Sequence, residues 1–77
     1  MKIPRDLSGE ELVKKLCRNW EYRVVHQEGS HIVLETESPS HHRIAVPAHK
    51  SLRIGTLNAI LRSVARHKGV DRAQLLK

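Results

Sequence analysis

The sequence has few of the residues that several protein classes require. Its single cysteine, Cys17, excludes an internal disulfide and a cysteine-based zinc finger, and it fits a reducing compartment, which predicts a cytoplasmic protein. Trp20 and Tyr22 are the only aromatic residues, which disfavours RNA-binding modules that stack bases on several rings. No apolar run approaches the ~20 residues of a membrane span. No apolar stretch follows residues 1–5, so we expect no secretory signal there.

Acidic residues are nearly absent from the second half of the chain. Residues 1–37 carry six Lys or Arg and seven Asp or Glu, a net charge of −1, whereas residues 38–77 carry eight Lys or Arg and a single acid, Asp71, a net charge of +7. Such a basic half indicates a polyanionic partner, either nucleic acid or an acidic protein. The length of 77 residues predicts one domain, covering 1–77.

Two amphipathic segments predict helices. Ser8 and Glu11 have the spacing of a capping box, so a first helix is expected over about 9–19. Apolar residues recur along it at helical spacing: Leu12, Val13, Leu16, Cys17 and Trp20. A second helix is expected to begin with Thr56 as its N-cap and to end at Gly69. Its core-facing stripe is Leu57, Ile60, Leu61 and Val64.

Three strands are expected between these helices, over residues 22–27, 30–36 and 42–46. Glu28-Gly29 is the predicted loop between the first two, with Gly29 at positive φ. The order α-β-β-β-α predicts an α+β two-layer domain, a three-stranded antiparallel sheet with helices on one face, which resembles the double-stranded-RNA-binding fold. A short turn capped by Asp71 should follow.

The strand pattern divides the sheet into two faces. Alternation assigns one face to the core: Val25, Ser30, Ile32, Leu34, Ile44 and Val46. The other face is open and partly apolar, which is typical of a binding surface: Tyr22, Val24, His26, His31, Val33 and Glu35.

Histidines are the candidates for chemistry. With a Glu28-Gly29 loop, His26 lies directly opposite His31, and two imidazoles that close disfavour double protonation. A neutral histidine near pH 7 can act as a general base, although ordinary exposed strand residues are the simpler interpretation. His41, His42 and His49, together with His26 and His31, could suggest a metal site. We expect none, because no pair of histidines lies on one predicted helix and no acidic or thiol ligand is expected beside them.

Basic residues supply candidate phosphate contacts. They lie around the second helix and the loop before it, with one in the third strand: Arg43, Lys50, Arg53, Arg62 and Arg66. His49 lies in the same loop, where it can orient the chain, cap it or touch a phosphate.

Four short segments together resemble the HicA family, the small mRNA interferase toxins of HicA–HicB toxin–antitoxin systems. They are Ser8–Leu16, Gly29-Ser30-His31, Val46-Pro47-Ala48-His49-Lys50 and Gly55–Leu61, which resemble the family's opening helix, its Gly-Ser-His signature, its VPxHK-like segment and its GTLxxIL start of the second helix. The resemblance covers nearly the whole chain.

The resemblance implies a ribosome-independent endoribonuclease of mRNA that needs no metal or other cofactor. It places the essential histidine at His31, with Gly29, Ser30 and His26 beside it in the substrate site. It also implies a HicB-like antitoxin that occludes this region, and we expect a toxin that is monomeric when free. We expect the antitoxin to cover the open face around Tyr22, Val24, His31 and Val33.

Two positions depart from the family pattern. Glu21-Tyr22 stands where the family often has a glycine and an aromatic residue after the first helix, and His26 stands near a position that is commonly arginine.

Two other function classes fit the same basic half: a non-catalytic RNA-binding module, and a protein-interaction domain with an acidic partner.

Overall fold

The computed structural model describes residues 7–76, so the expectation about residues 1–5 falls outside it. The predicted α-β-β-β-α order is confirmed, with a short helix after it. The elements are α1 (Gly9–Asn19), β1 (Arg23–Glu28), β2 (His31–Thr36), β3 (His42–Pro47), α2 (Ile54–Lys68) and α3 (Arg72–Leu75). The sheet is antiparallel in the order β1-β2-β3. The described helices include none long and apolar enough to cross a bilayer.

Helix α1 begins as its sequence predicts. The Glu11 amide donates to Ser8 Oγ and the Ser8 amide donates to Glu11 Oε1, each at 3.1 Å, so the capping box satisfies two amides at the helix start. These hydrogen bonds also lower the pKa of Glu11. At the other end, the amides of Trp20 and Tyr22 both donate to the Leu16 carbonyl, at 3.0 and 3.3 Å. Glu21 lies between them at φ 61°, in the left-handed region.

The first hairpin is shifted by one residue from its expected position. Gly29 and Ser30 form the turn, and Gly29 has the positive φ predicted for it, 58°. The ladder between β1 and β2 is interrupted by an irregularity between Val24 and His26, which leaves Val25 without a paired residue. Val25 is 41% exposed, so its expected place in the core is wrong.

The core lies between the sheet and the helices. Its sheet residues include Ile32, Leu34 and Val46, all predicted, while its helix residues include the whole expected stripe of α2. Tyr22 was expected on the open face but belongs to this core, with 3% of its surface exposed. The left-handed Glu21 redirects the chain just before Tyr22, which strand alternation alone does not reveal.

Helix α2 starts earlier than its sequence indicates. Arg53 is the N-cap and makes no side-chain capping hydrogen bond, whereas the expected N-cap, Thr56, lies in the first turn of the helix. The helix ends as predicted at Gly69, which takes φ 70°. Asp71 then caps α3, where its own amide donates to Gln74 Oε1 at 3.3 Å.

Candidate functional site

A tight turn presents His31 at the start of the central strand. His31 follows the Gly29-Ser30 turn directly and is the first residue of β2. It is paired with Glu28 on one side and with Pro47 on the other. Its side chain is exposed. A ligand can therefore reach this imidazole without any rearrangement of the sheet.

The face on which His31 lies is the one left open by the helices. His31 and Glu35 alternate along β2 with Ile32 and Leu34, which belong to the helix-covered core. Val33 shares the open face with them but is only 8% exposed. The predicted placement of His31, Val33 and Glu35 on one open face is confirmed.

His26 does not lie opposite His31, so the expected imidazole pair is wrong. Because the turn is one residue later than predicted, Glu28 faces His31 and His26 faces Val33. His26 is therefore a diagonal neighbour of His31 on the open face. Its Nε2 atom lies 3.7 Å from Glu28 Oε2. The group directly across from His31 is a carboxylate rather than a second imidazole.

Main-chain hydrogen bonds hold the loop between β3 and α2 against this turn. The Ala48 amide donates to the Ser30 carbonyl, and the Gly9 amide donates to the His49 carbonyl at 2.9 Å. Three of the four segments noted in the sequence therefore meet at one end of the sheet. His49 and Lys50 follow within two or three residues of Pro47, the partner of His31, and both are exposed.

Gly9 is required by close packing at this junction. A Cβ atom at position 9 would lie 1.8 Å from the Pro47 carbonyl oxygen, far inside van der Waals contact. One further bond, from the Leu52 amide to the Leu7 carbonyl at 2.9 Å, fixes the loop nearer α2. The start of α1 thus serves as the support of the loop.

The start of α2 adds favourable conditions for anions. A surface cavity next to it is lined by the loop and the first turn: Pro47, His49, Ser51, Leu52, Arg53 and Thr56. The first turn of α2 contains no acidic residue. Free amides and the positive end of the helix dipole at such a terminus attract negative groups.

The structure separates Arg62 and Arg66 from His31. They line a groove with a cavity volume of about 590 Å³, here called the α2 groove: His42, Ala59, Arg62, Ser63, Arg66 and His67. His42 begins β3 and pairs with Thr36, the last residue of β2, whereas His31 is the first residue of β2. Five residues at ~3.3 Å each put the two ends of this strand roughly 17 Å apart.

Arg43 also lies away from His31, in an ion-pair cluster on the open face. Arg43 Nη1 is 3.7 Å from Glu35 Oε2, and Arg23 Nη2 is 3.5 Å from Glu37 Oε2. His41 Nδ1 lies 2.9 Å from Glu37 Oε2, which lowers the pKa of Glu37. The expectation of no acidic group near His41 is wrong, because Glu35, Glu37 and His41 come within 4.8 Å of one another. Two guanidinium groups already balance these carboxylates.

His42 is the histidine that the fold engages most fully. Its Nδ1 is 2.8 Å from the Tyr22 hydroxyl, its Nε2 is 3.2 Å from Ser63 Oγ, and its ring stacks on that of His67 with centroids 4.4 Å apart. Burial, followed by the nearby charges of His67, Lys68 and His41, lowers the pKa of His42. Burial also raises the pKa of Tyr22 to about 12.

Comparison with known proteins decides the family. A family profile describing the HicA toxin of bacterial toxin–antitoxin systems matches residues 9–69. The chain belongs to the HicA toxin family. Neither the curated proteins nor the solved structures contain a match to it.

Membership in the HicA family makes this chain the toxin of a toxin–antitoxin system with a HicB-type antitoxin as its partner. The antitoxin surface expected from the sequence needs correction. Tyr22 and Val33 are buried, so neither offers substantial area to a partner. Val24 is 50% exposed, but it pairs with the core residue Leu34, so its expected place on the open face is wrong. His31 is the exposed member of the expected set that does lie on the open face.

Sequence reasoning missed the network of Tyr22, His42 and His67 altogether. The three residues are 20 and 25 positions apart along the chain. The one local sign was helical spacing: Ala59, Arg62, Ser63, Arg66 and His67 fall on one stripe of α2, next to its core stripe. What brings His42 to that stripe is the packing of α2 on β3, which no local pattern specifies.

Proposed function

We propose that this HicA toxin is an endoribonuclease that cleaves mRNA and uses His31 as its general acid or base. The observation that supports this most directly is the position of His31: exposed on the open face, at a glycine turn to which the His49-Lys50 loop is hydrogen-bonded. The chain runs from Pro47, the partner of His31, directly into the loop that carries His49 and Lys50.

The chemistry needs few protein groups because RNA carries its own nucleophile. The 2′-oxygen attacks the adjacent phosphorus, the bond from phosphorus to the 5′-oxygen breaks, and the products are a 2′,3′-cyclic phosphate and a 5′-hydroxyl. One proton leaves the 2′-hydroxyl and one reaches the departing 5′-oxygen. An imidazole can serve either transfer, and such help typically contributes 10²–10⁴-fold.

Cations in the loop would stabilise the charge that develops on the phosphate. Lys50 and Arg53 are exposed in the loop that follows the Ala48–Ser30 hydrogen bond, two and five residues after Ala48. Donors fixed before the reaction cost little reorganisation while it proceeds. His49 lies in the same segment and lines the cavities on both sides of it.

The test is a cleavage assay on a defined RNA in the presence of EDTA. His31→Ala should slow cleavage by about 10²–10⁴-fold, with RNA affinity changed by no more than a fewfold. His41→Ala is the matched control, since it removes an exposed histidine that lies beside Glu37, beyond the other end of β2. The upstream fragment should end in a cyclic phosphate.

Other results would support other functions. If the wild-type protein and the His31→Ala variant both bind RNA and neither cleaves it, a non-catalytic RNA-binding module would be favoured. No RNA binding even at low salt, where phosphate contacts are strongest, would favour a protein-interaction domain. Cleavage that EDTA abolishes and His31→Ala does not would contradict the assigned role of His31.

A further inference from the structure

The α2 groove is a built feature with a fixed floor. His67 Nε2 lies 2.9 Å from the Ser40 carbonyl, and the His67 ring stacks on His42 at an interplanar angle of 16°. His42 is held in turn by Tyr22 and Ser63. Two imidazole rings are therefore fixed at the groove before any ligand arrives.

The cations of this groove are uncommitted. Arg62 and Arg66 lie one helical turn apart and are exposed. Within residues 7–76, neither arginine forms an ion pair or a hydrogen bond, unlike Arg23 and Arg43, which pair with Glu37 and Glu35. The residues that line the groove include no acid. Two guanidinium groups without a partner in the described part of the chain favour an anionic ligand.

The combination of groups favours a nucleotide over an acidic peptide. Guanidinium groups bind phosphate with two parallel hydrogen bonds, and both guanidinium planes and histidine rings accept a stacked base. A glutamate or aspartate side chain would use the charge of the arginines but would leave the imidazole pair unused.

We propose that the α2 groove binds a nucleotide of the RNA strand, with its phosphate on Arg62 and Arg66, as a second contact remote from His31. This deepens the proposed function and depends on RNA being the substrate. His42 and His31 lie on opposite faces of the sheet as well as at opposite ends, so an RNA that contacts both passes around the β3 edge. A substrate that fills both sites must therefore extend several nucleotides beyond the bond that is cleaved.

Binding of a non-cleavable RNA separates this proposal from catalysis. Affinity for a 2′-O-methylated oligonucleotide is measured by fluorescence anisotropy over a series of salt concentrations. Arg62→Gln with Arg66→Gln should weaken binding about tenfold or more. It should also reduce the slope of log affinity against log salt by about 1.4, which is two phosphate contacts at ~0.7 each.

The matched control is Lys14→Gln with Arg18→Gln. These exposed cations also lie one turn apart, on α1, and their replacement removes the same net charge. The RNA affinity of this control should fall less than threefold. Equal losses in both double variants would show a general field of positive charge and overturn the groove. Arg62→Lys with Arg66→Lys should recover only part of the affinity, because lysine lacks the planar fork.

Two more results would decide against the groove. Unchanged RNA affinity in the Arg62 and Arg66 double variant would overturn it, even if His31-dependent cleavage is observed. If this double variant loses its binding to poly-L-glutamate and keeps its affinity for RNA, the groove would be assigned to an acidic protein instead. Normal groove-dependent binding without any cleavage would leave the groove standing and refute the proposed function alone.

Discussion

Glu21 is a residue whose replacement by glycine should stabilise the protein. It lies at φ 61°, where every residue with a Cβ atom is strained, and it is exposed. Its conformation lets the Tyr22 amide reach the Leu16 carbonyl and directs Tyr22 into the core. The substitution Glu21→Gly keeps this geometry and removes the strain.

The size of the effect follows from three contributions. The Cβ atom costs about 1–2 kcal/mol in the left-handed region. Glycine offsets about 0.5–1 kcal/mol of this gain, because it increases the conformational entropy of the unfolded chain. Removal of a carboxylate from the negative end of α1 adds a few tenths of a kcal/mol. The net expectation is roughly 1 kcal/mol of added stability, which raises Tm by about 4–8 °C in a domain of this size.

Thermal and urea unfolding followed by circular dichroism measure this gain. Glu21→Ala is the matched control, because it removes the same carboxylate and keeps the Cβ atom. Glycine should therefore exceed alanine by about 0.5–1 kcal/mol. If the two variants are equally stable, the left-handed strain at position 21 is refuted as the cause.

Two further predictions concern packing and pH. Gly9→Ala should destabilise the protein by about 1–3 kcal/mol in urea unfolding, because its Cβ atom would meet the Pro47 carbonyl. Gly55→Ala, which meets nothing within 4 Å, should be neutral or slightly stabilising, and equal losses at both sites would contradict the packing argument. Folding lowers the pKa of His42 from 6.5. Its contribution to the free energy of unfolding should therefore be fully present above pH 6.5 and should decline as the pH falls below that value, because the unfolded chain binds the extra proton. His42→Gln should flatten the decline between pH 7.5 and 5.5, and an unchanged slope would show that another group is responsible.

Local signals in the sequence were sufficient for the helices and for the number of strands. The Ser8-Glu11 box defines the start of α1, since both of its hydrogen bonds are made within three residues. The start of α2 was misplaced because Thr56 is a good N-cap residue, yet the loop bonds at Ala48 and Leu52 settle where the helix begins. Those bonds connect distant segments and leave no trace in local composition.

The sheet register was the hardest feature to predict for the same reason. A turn of Gly29-Ser30 and one of Glu28-Gly29 both fit the sequence, and the choice decides whether His31 faces His26 or Glu28. The position of His31 on the open face was insensitive to this choice, because alternation along β2 fixes it. The separation of Arg62 and Arg66 from His31 depends on how α2 packs across β3, which charge counting does not address.

The main-chain anchoring of the loop after β3 has a consequence for how this surface can diversify. The amides of Gly9, Ala48 and Leu52 hold the loop in place, so its path does not depend on the side chains of residues 49 and 50. Proline is forbidden at each donating position, since it has no N–H. The backbone of this loop therefore tolerates other side chains at positions 49 and 50. The fold thereby separates the groups that set the path of the loop from the side chains that can meet a ligand.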